Sequence, residues 1–229
     1  MDVQVGNVIA KAKPTKIVFC LPGNSFSGRF LDCWSNLLTS LGNYNVQALL
    51  SRRESCNIYY VRNMCLGADV SRGTEQKPFD GKVEYDYLMW IDSDVIFKVE
   101  QLVSLLSKQK DIIAGVYAMQ GGKELAVVKD WDEEFFKKNG YFQFLTPKDI
   151  EGQKDPIEVS YVGFGFMLIK QGVFESMDYP WFRPIDQKIG KCVDFTMEDV
   201  AFCLRAQERG YKVYIDPTVR VLHEKKVLL

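Results

Sequence analysis

Five consecutive apolar residues at 87–91, YLMWI, run straight into Asp92-Ser93-Asp94. A short, unbroken apolar run of this kind reads as a strand. Residues 16–21 (KIVFCL) form a similar run, closed by the turn signal Pro22-Gly23. Residues 45–50 and 111–117 add two more strands. Segments of helical period lie between them. Residues 29–41 carry Phe30, Leu31, Trp34, Leu37, Leu38 and Leu41 at helical spacing and stop at Gly42. Residues 55–68 and 99–108 read as helices too. Strand and helix therefore alternate through the first half, which implies an α/β layered sheet.

The second half is less regular. Residues 73–82 read as a polar loop, and residues 121–156 are charged and aromatic with no clear period. Residues 160–170 (SYVGFGFMLIK) are apolar and expected to be buried. Residues 197–209 read as a helix with Gly210 at its C′ position. Residues 212–215 and 219–222 read as two short strands on either side of Asp216-Pro217. The 229 residues fit a single domain, expected to occupy 1–229. The abrupt end at Lys225-Lys226-Val227-Leu228-Leu229 would also suit a domain cut from a longer protein.

The bulk chemistry removes several classes of function. With a net charge of -1 the chain has no basic field for a polyanion, so nucleic acid is not an expected partner. The six cysteines contain no CxxC pair, which argues against a zinc site and a disulfide framework and for a reducing, cytoplasmic compartment. Residues 1–14 lack the apolar core of a signal peptide. No stretch reaches the ~20 apolar residues of a membrane span.

Asp92 and Asp94 carry the most specific chemistry. In extended chain, residues i and i+2 point to one side, so both carboxylates can face one site. Unshared, they repel, and a divalent cation relieves that repulsion. Hard oxygen ligands suit Mg²⁺ or Mn²⁺, which in turn bind phosphate oxygens. The plain alternative is a helix N-cap. Far downstream stands the only histidine, His223. Its imidazole can complete a carboxylate metal site, and shifts the preference to Mn²⁺. Lys225, two residues on, can neutralise a leaving diphosphate. Glu198 and Asp199 open a helix behind Thr196. They read either as a capping box or as a general base for an acceptor hydroxyl, Asp199 first and Glu198 second. At a helix N-terminus such a carboxylate is expected to stay ionised.

In order along the chain, these residues resemble the GT-A class of nucleotide-sugar glycosyltransferases. KIVFCLPGN looks like the opening nucleotide-binding strand, and Val61-Arg62-Asn63 is similar to the ARN element ahead of the acidic motif. YDYLMWIDSDVIF resembles the acidic-motif strand, and VGFGFMLIKQGVFE the glycine segment that follows. EDVAFCLRAQERGYKVYIDPTVRVLHEK resembles the family's C-terminal stretch and is the longest match. Glycosyltransferase domains of large algal viruses look most similar, which would put the protein in the host cytoplasm.

The resemblance implies a GT-A fold, a mixed central sheet flanked by helices. It also implies metal-dependent sugar transfer from a nucleotide-diphosphate donor, with UDP the commonest nucleotide, to a hydroxyl of a glycan acceptor, with inversion favoured. Asp94 would be the main metal ligand, His223 another, and Asp92 would reach the ribose or the metal through water. Pro22, Gly23, Asn24 and Arg62 would hold the nucleotide beside Ser93. Phe164, Gly165 and Phe166 would line the sugar and acceptor region. One departure stands out: the glycine pair is interrupted, as Gly163-Phe164-Gly165. Three rivals remain. A phosphatase of the haloacid dehalogenase type would use Asp92 as nucleophile, but its downstream acidic element is missing. A nucleotidyltransferase should carry a glycine-rich phosphate loop, which LPGNSFSGR matches poorly. The third is a non-catalytic nucleotide-sugar-binding module.

Overall fold

The computed structural model describes residues 13–225. Its first half alternates as the apolar runs require: β1 (Thr15–Pro22), α1 (Gly28–Ser40), β2 (Val46–Arg53), α2 (Ile58–Cys65), β3 (Tyr87–Ile91), β4 (Val95–Ile96), α3 (Val99–Ser107) and β5 (Ile112–Val116). Then come β6 (Val127–Val128), α4 (Glu133–Asn139), β7 (Ile157–Val159), β8 (Tyr161–Val162) and β9 (Phe166–Lys170). The chain continues through β10 (Asp186–Ile189), β11 (Cys192–Phe195), α5 (Glu198–Glu208), β12 (Val213–Arg220) and β13 (Leu222–His223). The readings of residues 1–12 and 226–229 lie outside the described residues.

Seven strands form the central sheet, in the order β2-β1-β3-β9-β5-β12-β7. β2, β1 and β3 run parallel. β9 is antiparallel to both β3 and β5, and β12 returns parallel to β5. Successive strand residues feed opposite faces. Phe19, Leu21, Met89 and Ile91 pack with Phe30 and Leu37 of α1 and Leu102 and Leu105 of α3. Val18, Cys20, Leu88 and Trp90 pack with Cys65 of α2 and Phe202, Cys203 and Ala206 of α5. Burying each large side chain stabilises the fold by roughly 1.5–3 kcal/mol. Burial on both faces explains why β3 and β5 are apolar throughout.

Several elements differ from the sequence reading. α2 is shorter, because the Asn57 side chain accepts from the N–H groups of Tyr59 and Tyr60 and starts the helix there. Residues 160–170 are two strands divided at residues 163–165. The unpatterned stretch 121–156 holds α4, capped by Asp132 and closed by Gly140 at φ 77°. β12 is one strand running through Pro217. On that edge β7 pairs only as far as Ile215, so Pro217 removes no ladder hydrogen bond there. Asp216, fully buried, accepts from Ser104 Oγ and from the Thr218 N–H and hydroxyl. Residues 222–223 pair instead with β4. All six thiols are free. Among the described residues no helix is long and apolar enough to cross a membrane.

Candidate functional site

The end of β3 delivers Asp92 beside α2 and α5. Arg62 lies on α2 with a side chain only 2% exposed. Its Nη1 and Nη2 donate to Asp92 Oδ1 and Oδ2 at 2.9 and 3.1 Å, and its Nε donates to Glu198 Oε1 at 3.0 Å. The guanidinium plane also lies 4.9 Å from the Phe164 ring centroid and 5.7 Å from that of Trp90. Burial alone would weaken its hold on the proton. Asp92 and Glu198 outweigh that and raise its pKa above the ordinary arginine value. Arg62 is therefore a buried hub rather than a free nucleotide contact. It holds both oxygens of Asp92, which ties that carboxylate to α2 and α5. Glu198, 5% exposed, shares the same guanidinium.

Asp94 points elsewhere. β4 and β13 form a two-residue antiparallel ladder, His223 opposite Val95, and the Glu224 N–H donates to the Asp94 carbonyl at 2.7 Å. His223 Nε2 lies 2.8 Å from Asp94 Oδ2. Lys225 Nζ lies 3.1 Å from that oxygen and 2.9 Å from the imidazole nitrogen. Burial pushes the Asp94 carboxyl up, but hydrogen bonds from His223 and Lys225 prevail and hold it below the usual carboxylate range. A carboxylate and an imidazole converging on one cation form a donor pair that suits Mn²⁺ or Mg²⁺. The ammonium between them shows that a positive charge is accommodated there. Among the described residues, no three His, Cys, Asp or Glu side chains come together to hold a metal. Of the expected set of Asp92, Asp94 and His223, the fold brings Asp94 and His223 together, while Asp92 pairs with Arg62.

The interrupted glycine pair has a steric cause. Tyr117, one residue past β5, has its ring edge-on to His223 at 5.0 Å between centroids. A Cβ on Gly163 would run into the Tyr117 hydroxyl oxygen, and one on Gly165 would meet the ring at 3.0 Å. The Gly165 N–H donates to the Tyr117 hydroxyl, and its carbonyl accepts from the Asp92 N–H at 3.0 Å. Burial raises the Tyr117 hydroxyl well above the ordinary tyrosine range. Phe164 is 1% exposed and Phe166 fully buried. Phe164, which packs on Trp90, Phe182 and Phe202, is core beneath Arg62, and neither ring faces the cleft. Tyr117 escaped the sequence reading, although its place at a strand's C-terminal end, where α/β sheets bind ligands, was a usable signal.

Asp199 sits on the first turn of α5, and its Oδ1 accepts from the Val200 N–H at 2.7 Å. Burial and the neighbouring Glu198 push its carboxyl from 3.8 up to about 7. The shift runs against the helix N-terminus, which favours the ionised form, because desolvation and Glu198 outweigh the helix end. The helix begins at Met197 without a side-chain cap, since Thr196 Oγ1 instead accepts from the Ile185 N–H. At the other end of the motif, Gly23 follows buried Pro22 at the end of β1. A Cβ on Gly23 would lie 2.9 Å from Ser93 Cβ, so this loop touches the acidic motif, with Asn24 exposed beyond it. An open cleft of about 1240 Å³ lies over the Asp94 side, lined by Arg29, Met119, Gly121, His223 and Lys225.

No family model matches the sequence, and no curated protein matches it. Solved structures do. The crystal structure of GalNAc-T7 with UDP, GalNAc and Mn²⁺ superimposes with a TM-score of 0.51 at 13% identity, over 93% of this chain and 43% of that one. The fold is the GT-A fold. The chain therefore spans less than half the length of this relative. A197 from STIV aligns at 16% identity and a TM-score of 0.49, over 94% and 96% of the two chains. A Drosophila β1,4-galactosyltransferase 7 mutant in complex with manganese, UDP-Gal and xylobiose aligns at 13% identity and 0.48, over 93% and 71%.

Proposed function

We propose that this chain is a metal-dependent glycosyltransferase that moves a sugar from a nucleotide-diphosphate donor, UDP-linked by preference, to a hydroxyl of a glycan acceptor. The observation that carries the reading is the convergence of Asp94, His223 and Lys225 at the carboxyl end of the sheet. The GT-A fold, shared with a protein crystallised with UDP and Mn²⁺, supports it. Asp94 and His223 would hold Mn²⁺ or Mg²⁺, and the cation would supply charge neutralisation for a leaving diphosphate.

The chain's own residues do the rest. Arg62 fixes Asp92 at the end of β3 and Glu198 at the start of α5, tying the donor side of the cleft to the acceptor side. Lys225 is within reach of a diphosphate and adds a second positive charge. Asp199 is the base. It takes the proton of the acceptor hydroxyl while that oxygen bonds to the anomeric carbon, and the bond from that carbon to the diphosphate oxygen breaks. With Asp199 and the leaving group on opposite faces of the sugar, one displacement inverts the anomeric centre. A phosphatase using Asp92 as nucleophile is disfavoured, because Arg62 holds both its oxygens.

The test is equilibrium binding of UDP with and without Mn²⁺, alongside hydrolysis and transfer assays over a panel of nucleotide sugars. Wild type is expected to bind UDP more tightly with Mn²⁺ and to turn over at least one donor. Asp94→Ala is expected to lose the metal-dependent part. UDP affinity that ignores Mn²⁺ in the wild type would sink the proposal.

A further inference from the structure

A lysine needed only to meet a diphosphate would extend freely into the cleft. Lys225 instead folds back. Its Nζ is 3.1 Å from Asp94 Oδ2 and 2.9 Å from His223 Nε2, and those two atoms are 2.8 Å apart. The three groups close a triangle, with the ammonium on the very atoms a shared divalent cation would take. The two donors are firmly set. The β4–β13 ladder and the bond from the Glu224 N–H fix the backbone on both sides, and Tyr117 backs the imidazole. The Lys225 side chain is 49% exposed, so it can swing away without disturbing the core.

We propose that Lys225 is a placeholder cation: a divalent metal enters the Asp94–His223 pair only as the ammonium leaves, and a nucleotide diphosphate drives that exchange by offering the ammonium phosphate oxygens. The proposal rests on the reading of Asp94 and His223 as cation ligands and of a nucleotide diphosphate as their partner. One carboxylate cannot neutralise both an ammonium and a dication at this spacing, so the two positive groups exclude each other. A diphosphate carries enough negative charge to hold both, one on each side. Metal and nucleotide then bind as a coupled pair, and each tightens the other by the same factor. The metal alone binds weakly.

Calorimetric titration of Mn²⁺ into the full chain, with and without UDP, tests this in wild type, Lys225→Ala, Lys225→Arg and Asp94→Ala. Lys225→Ala is expected to bind Mn²⁺ alone roughly fivefold more tightly than wild type, the scale of a half-exposed ion pair. The factor by which UDP tightens Mn²⁺ should shrink in the same variant, and Lys225→Arg should stay near wild type. If Mn²⁺ binding is lost in Asp94→Ala but unmoved or weakened in Lys225→Ala, the placeholder role is overturned and the metal reading stands. If Mn²⁺ binds to no form, or binds Asp94→Ala as well as wild type, the metal reading and the exchange fall together.

Discussion

The buried guanidinium of Arg62 shows how far a residue's type can be from its task. An arginine ahead of an acidic motif suggested a nucleotide contact. What its sequence neighbours cannot convey is depth: Val61, Asn63 and Cys65 are buried with it, and its partners are 30 and 136 residues away. Arg62→Met would leave Asp92 and Glu198 without their counter-charge. We expect it to lower unfolding free energy by about 3–5 kcal/mol, read by urea denaturation. Asp94, His223 and Lys225 were legible as residue types, because the acidic pair follows a buried strand and the one histidine of the chain stands two residues before the lysine. Asp199, the proposed base, was legible as a carboxylate at a helix start but not in its protonation. With its carboxyl raised to about 7, it must lose a proton before it can act, so kcat/KM should rise as pH passes through about 7. Asp199→Asn should lower kcat about 10²–10⁴-fold. The sign for stability is opposite. The folded state holds this proton more tightly than the unfolded chain, whose carboxyl titrates near 3.8. That contribution is full below 3.8 and is lost as pH climbs to about 7. Asp199→Asn is therefore expected to be more stable than wild type at pH 8 by thermal melting, while nearly inactive.

Among the elements, the turn between β8 and β9 is the most constrained. Its two glycines exist for the Tyr117 ring, a partner one strand away that no local pattern reveals. Gly163→Ala should destabilise by about 1–3 kcal/mol through overpacking. Because the Tyr117 hydroxyl oxygen is the atom in the way, adding Tyr117→Phe should recover part of the loss in the melting temperature. No recovery would place the conflict elsewhere, for instance at Ala126. α4 was readable and was missed: Asp132 as cap, Glu133 and Glu134 in the first turn, Lys137 and Lys138 in the last and Gly140 after it form a complete set of helix signals. The aromatic residues around it hid the period. Pro217 misled in the other direction, because the rule that proline ends a strand fails on an edge without a partner.

For the whole molecule, alternating apolar runs and helical stripes were enough to state a layered α/β sheet. They could not state the order of its strands. That β9 enters antiparallel between β3 and β5 depends on which edge each run meets, and apolar strands carry no address for a neighbour. The assembled sheet makes one global prediction. UDP with Mn²⁺ at roughly 100 times their dissociation constants should raise unfolding free energy by about 2.7 kcal/mol. For a chain of this size that is roughly 5–10 °C in the melting temperature, and Asp94→Ala should abolish the shift.

The ladder between β4 and β13 also sets a schedule. Asp94 and Lys225 are 131 residues apart in the chain. At roughly 5–20 residues per second, a ribosome adds Lys225 about 7 to 26 seconds after Asp94. Throughout that interval the nascent sheet can gather its parallel strands while the partners of Asp94, His223 and Lys225, wait untranslated. A chain released before Leu222 would keep most of the core and still lack His223, so under the proposed function Mn²⁺ binding would report that translation reached residue 223.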